Sequence, residues 1–336
     1  MRYDFINLRE VAEAVRALPG KHEAVEAEAL FHQSQLTKPP GALGRLEELA
    51  VFLASWQGQV KPSLTVAQAV VFAGNHGICA QGINPFPQEV TAQMVANFTA
   101  GGAAINQLCA VSGAELDVVP LSLETPTANF VEQEALTEDE LCSAMSTGAQ
   151  AVKPDADILL LGEMGIGNST VSAALAASVF GGDVARWVGA GTGSDEAGIA
   201  RKQAVIEQGL KIHGSRTDLS ALLAFGGREQ AAICGAVLAA RMARIPVILD
   251  GFICSAAAAP LFGVAPDSLD HCLVGHVSAE PGHKHLLAAM AKSAILHLDM
   301  RLGEGTGAAV ALLVLRGATA CHNQMATFES AGIAGA

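Results

Sequence analysis

Glu304 stands between two glycines in Gly303-Glu-Gly-Thr-Gly, immediately before the apolar run Ala308-Ala-Val-Ala-Leu-Leu-Val-Leu. A carboxylate in that position has two uses. It can complement the positive end of the helix that follows. In a closed apolar pocket it can instead serve as a proton acceptor, because desolvation raises its pKa. Local sequence leaves both open. A second segment, Leu159-Leu-Leu-Gly-Glu-Met-Gly-Ile-Gly-Asn-Ser-Thr, passes from an apolar strand through three glycines to Asn168, Ser169 and Thr170 and then to an Ala-rich helix. Amides at such a helix start suit a phosphate, while an ordinary strand-to-helix turn uses the same glycines. The spacing departs from GxGxxG and no Gly-Lys-Ser/Thr follows, so neither a dinucleotide fingerprint nor a Walker loop is supported.

A further glycine-rich stretch, Gly189-Ala-Gly-Thr-Gly-Ser-Asp-Glu, precedes Arg201 and Lys202. Lys202 has the chemistry to neutralise a phosphate as a point charge, although a single lysine is more commonly solvated surface. His271, His276, His283 and His285 with Glu280 invite a metal reading, but their spacing matches no zinc signature and HExxH is absent. Hydrogen-bonding histidines are the expectation, and no metal or cofactor is expected. The seven cysteines form no CxxC pair and are expected as reduced core thiols.

These residues need a scaffold. In 336 residues there is room for a large core in one domain, or in a main domain with a smaller lobe. Half the residues are apolar, aromatics are scarce, and alanine and glycine abound, which suits helices packed closely on a buried sheet. From Met1 to about Val60 the periodicity is helical, with Val11, Val15 and Leu18 on one face and Leu43, Leu46 and Leu49 after a Pro-Pro-Gly break. Beyond Lys61-Pro62, short β-prone runs (Ala69-Val-Val-Phe-Ala, Leu116-Asp-Val-Val-Pro, Ile158-Leu-Leu-Leu-Gly, Pro246-Val-Ile-Leu-Asp) alternate with Ala-rich helical stretches. That pattern predicts a parallel sheet with helical crossovers, an α/β fold. Four strand-end corners, Gly74-Asn-His-Gly, Gly162-Glu-Met-Gly, Asp250-Gly-Phe and Gly275-His-Val-Ser, are expected to converge, because ligands in such sheets sit beyond the carboxyl ends of strands.

A formal net charge of −13 and the lack of a basic run argue against nucleic acid as partner, since backbone binding relies on clustered Lys and Arg. Pro246–Pro266 is the nearest approach to a membrane span, but Asp250, Gly251 and Pro260 interrupt it, so a buried strand and helix are expected and no membrane partner. The charged start lacks a signal-peptide core, and a cytoplasmic location is the default expectation.

Taken in order, Lys38-Pro-Pro-Gly-Ala-Leu-Gly-Arg-Leu-Glu, Gly74-Asn-His-Gly-Ile, Pro87-Gln-Glu-Val-Thr-Ala-Gln-Met, Gly162-Glu-Met-Gly-Ile-Gly-Asn-Ser-Thr, Pro246-Val-Ile-Leu-Asp-Gly-Phe, His276-Val-Ser-Ala-Glu-Pro-Gly and Met300-Arg-Leu-Gly-Glu-Gly-Thr-Gly-Ala-Ala span nearly the whole chain. Together they resemble the nicotinate-nucleotide:dimethylbenzimidazole phosphoribosyltransferases of cobalamin lower-ligand synthesis. The resemblance implies a Rossmann-like parallel-sheet domain (residues 61–295), a smaller helical lobe from both chain ends (1–60 with 296–336), and a homodimer. It implies nicotinate mononucleotide and 5,6-dimethylbenzimidazole as substrates, and nicotinate and α-ribazole 5′-phosphate as products. By motif, the family's general base falls on Glu304. Gly165, the loop near Gly191, and Lys202 would hold the nucleotide phosphate, and Glu163 would lie beside the reacting centre. The base pocket falls on Phe86, Met94, Met164 and Leu302, a flat apolar slot. Some relatives carry Asp where Asn75 stands here, so no charged role is carried over to it. The alternatives are a related transferase preferring another azole or purine, a non-catalytic nucleotide-binding protein, and a metal hydrolase built on the histidines.

Overall fold

The computed structural model describes residues 4–334. Residues 1–3 and 335–336, the outermost of the expected helical lobe, lie outside them. Helices α1 (Leu8–Arg16), α2 (Glu23–Gln35) and α3 (Arg45–Gln57) precede β1 (Ala67–Ala73). Helices α4 (Glu89–Thr99) and α5 (Ala104–Ser112) lead to β2 (Ala114–Pro120), and α6 (Glu138–Gln150) leads to β3 (Ile158–Met164). Four helices, α7 (Asn168–Phe180), α8 (Glu196–His213), α9 (Ser220–Phe225) and α10 (Arg228–Met242), separate β3 from β4 (Val247–Leu249). After α11 (Phe252–Val264) come β5 (Cys272–His276), α12 (Pro281–Ala289), β6 (Ala294–Leu296) and α13 (Thr306–Gln324).

The six strands form one parallel sheet in the order β2-β1-β3-β4-β5-β6. Alternation along each strand sends neighbours to opposite faces. On β3, Leu159 and Leu161 join one core with Val70, Phe72 and the helices α6, α7, α10 and α11; Ile158 and Leu160 join the other, with α3, α5 and α13. Helices cover both faces, so the central strands read as unbroken apolar runs. The β1-to-β2 crossover runs over the α13 face and the β2-to-β3 crossover over the other. The strand order therefore reverses about β1, opening a crevice at the carboxyl ends of β1 and β3.

The two ends of the chain meet. Leu36 bridges Thr327, Gln33 bonds His322 Nδ1 at 2.7 Å, and His322 Nε2 reaches the Val60 carbonyl at 2.8 Å. Pro246–Pro266 folds as β4 and α11, and no helix among the described residues is long and apolar enough to cross a membrane.

Two glycines decide how closely the sheet's helical cover packs. A Cβ on Gly148 of α6 would strike the Ala232 carbonyl of α10, and one on Gly235 of α10 would strike the Met145 carbonyl of α6. Gly148→Ala and Gly235→Ala are each expected to destabilise the protein by about 1–3 kcal/mol, since backbone cannot move aside as a flexible side chain can. Urea unfolding measures this, and wild-type midpoints in both variants would refute the close contact.

Candidate functional site

A cavity opens beyond the carboxyl ends of β3, β4 and β5, where Glu163, Met164, Asp250 and His276 stand on its wall. Three of the four expected corners converge here. The fourth, Gly74-Asn-His-Gly, packs behind the wall: the Gly74 carbonyl and His76 Nε2 occupy the space that a side chain at Gly165 would need. His76 is paired there with Glu229 at 3.0 Å, and both are fully buried.

The loop after β3 reaches the cavity because it is glycine-rich. Gly167 has φ +94 and sits against Cys79 Sγ, which leaves no room for a Cβ, and α7 starts at the next residue. Gly165, Asn168 and Ser169 all line the cavity, so the glycines serve both the turn and an open helix N-terminus. The Asn168 amide donates to Glu163 Oε2. Glu163 is 4% exposed, and burial, with the charges of Asp250 and Glu229, pushes its carboxyl well above the usual range.

Across the cavity, Gly191 has φ +58 and lies against Ser169 Oγ and Lys202 Nζ. Lys202 sits in the second turn of α8, whose start is capped by the Asp195 side chain on the Gly198 N–H at 2.8 Å. The solvated-surface alternative for Lys202 fails, since it is 3% exposed. Among the described residues its ammonium has only long contacts, 3.4 Å to Ser169 Oγ and to the Gly189 carbonyl and 3.5 Å to the Ala190 carbonyl. Burial lowers its pKa, opposed by Glu280. Glu280 accepts the Gly191 N–H at 2.8 Å, and burial raises its pKa against the pull of that bond, Lys202 and Arg301. An under-satisfied lysine, a helix N-terminus and small polar groups form a corner suited to an anion.

The other end of the cavity is apolar. Phe86 and Leu302 line it while remaining 46% and 52% exposed, and Met164 is half-buried between the cavity and the core. Met94 is not brought to the cavity wall; it stands on α4, half-buried against the core that Met164 also joins.

Glu304 follows the lining residue Gly303 in the chain and is not itself among the residues that line the cavity. Gly303, Glu304 and Gly305 have φ of +82, +63 and +82, three successive left-handed residues. For a glutamate that conformation costs about 1–3 kcal/mol and needs the surroundings to hold it. They do. Gly162 of β3 lacks the side chain that would collide with the Glu304–Gly305 backbone, and Thr306 Oγ1 donates to the Gly303 carbonyl at 2.7 Å. Glu304 is 5% exposed, and its Oε2 has no hydrogen-bond partner among the described residues. Burial first, and the charge of Asp250 second, raise its pKa to about 7. The helix-end alternative for Glu304 is taken up by another residue: Asp250 Oδ1 accepts the Ala308 N–H of α13 at 2.9 Å.

The histidines are engaged one by one. His271 Nε2 bonds the Val237 carbonyl at 3.0 Å, and burial holds its pKa well below the usual value. His283 Nδ1 accepts the Ser278 N–H at 2.8 Å, so its Nε2 carries the proton toward Ser255 Oγ at 3.2 Å, consistent with a pKa lowered by burial to about 3. His276 pairs with Asp250, and His285 is exposed beside Trp187. Among the described residues, no three His, Cys, Asp or Glu side chains form a metal-holding group.

Sequence reasoning singled out no role for Asn168, Glu229, Ser278 or Arg301, and marked Asp250 and His276 only as strand-end corners. Folding brings Glu163, Asp250 and Glu304 together from three separate segments. A polar residue closing a buried strand was the one available signal, and it pointed to Asp250.

Comparison with known proteins follows the same lines. A family model described as phosphoribosyltransferase matches residues 18–333. The nicotinate-nucleotide–dimethylbenzimidazole phosphoribosyltransferase of Rhodobacter capsulatus is 58% identical over 324 residues, 96% of this chain and 97% of the relative. That of Roseobacter denitrificans is 56% identical over 331 residues, 98% of each chain. The crystal structure of CobT from Thermus thermophilus superposes with a TM-score of 0.86 at 40% identity, covering 93% of this chain and all of that one.

Proposed function

From the premise that this chain belongs to the nicotinate-nucleotide–dimethylbenzimidazole phosphoribosyltransferase family, we propose that it moves 5-phosphoribose from nicotinate mononucleotide to 5,6-dimethylbenzimidazole. The products are α-ribazole 5′-phosphate and nicotinate. The observation that carries this reading is one cavity with an anion corner around Lys202 and an apolar wall of Phe86, Met164 and Leu302, and next in the chain to its lining residue Gly303 the buried carboxylate Glu304, whose Oε2 has no hydrogen-bond partner among the described residues.

In the nucleotide, the ring nitrogen bonded to ribose is positively charged, so the departing electron pair converts it into neutral pyridine nitrogen. An azole nitrogen attacks the ribose carbon from the opposite face as that bond breaks, which turns a β-nucleotide into an α-riboside. The second azole nitrogen must then shed its proton, or the product would be a cation. Glu304 accepts it; a pKa near 7 gives a base matched to neutral pH. Glu163 stands beside the reacting carbon, where a carboxyl held by Asn168 can orient ribose. Gly165, Gly191 and Lys202 take the phosphate, and the azole lies against Phe86, Met164 and Leu302, with Met94 supporting that slot through the core. Holding both rings and the ribose in line supplies much of the remaining acceleration. The working unit in this reading is a homodimer.

Incubation with both substrates tests it, with nicotinate release followed by chromatography and the anomeric configuration by NMR. Release that depends on the azole and an α-configured product are expected. Nicotinate release indifferent to the azole, or none, would overturn the proposal.

A further inference from the structure

Asp250 closes β4 at 1% exposure and is spent on no substrate group in the mechanism above. Its Oδ1 accepts the Ala308 N–H in the first turn of α13 at 2.9 Å, with the Gly305 and Gly307 N–H groups close by. The N-cap of α13 is Gly305, which has no side chain to offer those donors. The acceptor therefore comes from a different element, 58 residues away in sequence. That bond ties the start of α13 to the end of β4, and the residue it steadies next is Glu304, whose left-handed backbone survives only while its neighbours are pinned.

We infer that Asp250 is a positioning residue for the transfer step: from the end of β4 it anchors the first turn of α13 and so holds Glu304 in register. The inference rests on the proposed role of Glu304. Every ionisable group facing Asp250 bears on it. Glu163 approaches from β3, with Glu229 of α10 beyond; Cys254 lies on α11; and His276 Nε2 of β5 is 3.8 Å from Oδ1. His276 is itself wedged between Gly251 and Gly307, where any Cβ would meet its ring, and His283 lies behind it. Burial raises the pKa of Asp250, and His276 with the Ala308, Gly307 and Gly305 N–H groups opposes that shift. When ionised, Asp250 opposes ionisation of Glu304 and of Glu163 alike.

Asp250→Asn keeps an oxygen for the Ala308 N–H and removes the charge, whereas Asp250→Ala removes both. In Asp250→Asn, the acid limb of the kcat–pH profile is expected to move down by roughly half a unit to one unit. Plateau kcat should fall roughly threefold as the base weakens, with KM for nicotinate mononucleotide unchanged. In Asp250→Ala, kcat should fall about 10- to 100-fold as Glu304 loses its register, and the Ala308 amide should exchange faster with solvent. A limb that stays at the wild-type pH in Asp250→Asn sinks the inference, and so does wild-type kcat in folded Asp250→Ala. Full activity in Glu304→Gln would instead sink the base assignment, and no transfer by the wild type would sink the functional proposal, so the three failures are distinguishable.

Discussion

Glu304→Gln is expected to lower kcat for ribosyl transfer by roughly 10²–10⁴-fold, because the amide fills the same space but cannot accept the azole proton. The substitution keeps the left-handed backbone, as glutamine is no freer there than glutamate, so position and strain are preserved. Two independent readouts should move together. Wild-type turnover should rise with pH through about 7 as Glu304 ionises, and that limb should vanish in the variant. Stability should move the other way. The folded carboxyl, with its pKa raised from 4.5 to about 7, holds its proton more tightly than the unfolded one, so stability is lost as pH rises through that window. Above pH 7 the buried charge costs on the order of 2–3 kcal/mol. Glu304→Gln should therefore melt a few degrees higher than wild type at pH 8, and with little difference near pH 4. Undiminished transfer at neutral pH would remove Glu304 from the mechanism. An unaltered difference in Tm between the two pH values would contradict its desolvation.

Lys202→Ala is expected to raise KM for nicotinate mononucleotide about 10- to 100-fold while changing kcat by less than about threefold. A charge-assisted bond to phosphate is worth about 1.5–3 kcal/mol, and among the described residues this ammonium has only contacts of 3.4–3.5 Å to surrender when an anion arrives. Burial depresses its pKa, and an arriving phosphate favours the charged form, so nucleotide binding and lysine protonation reinforce one another. Nicotinate riboside, which lacks the phosphate, isolates the effect: wild type and variant should handle it alike. Equal KM values for the mononucleotide would exclude Lys202 from the phosphate corner.

Much of the architecture was legible in the chain itself. The run Ile158-Leu-Leu-Leu-Gly is a strand buried on both faces, and its unbroken hydrophobicity is the direct mark of a parallel sheet covered by helices on each side. Glu304 was visible as a carboxylate in a glycine turn before a buried helix, and the Gly-Glu-Met-Gly loop as a strand-to-helix corner. These features are local: backbone freedom, side-chain period and helix start depend on residues within a few positions of one another.

The surroundings of the carboxylate and the lysine were decided by folding. Glu304 had a helix-end alternative and Lys202 a solvated-surface one; Asp250 meets the helix N–H in place of the first, and burial removes the second. A pKa is set by desolvation and by charges within several ångströms, and here those charges arrive from other segments: Asp250 beside Glu304, Asp250 and Glu229 beside Glu163, and Glu280 beside Lys202. The same holds for the start of α13, whose Ala308 N–H is met by Asp250 and not by the neighbouring Glu304. Local sequence thus determined the elements and where a carboxylate would stand, and whole-chain resemblance pointed to its task. Tertiary structure alone decided that Asp250 meets the helix N–H while Glu304 Oε2 has no hydrogen-bond partner among the described residues, because both outcomes depend on contacts between distant segments.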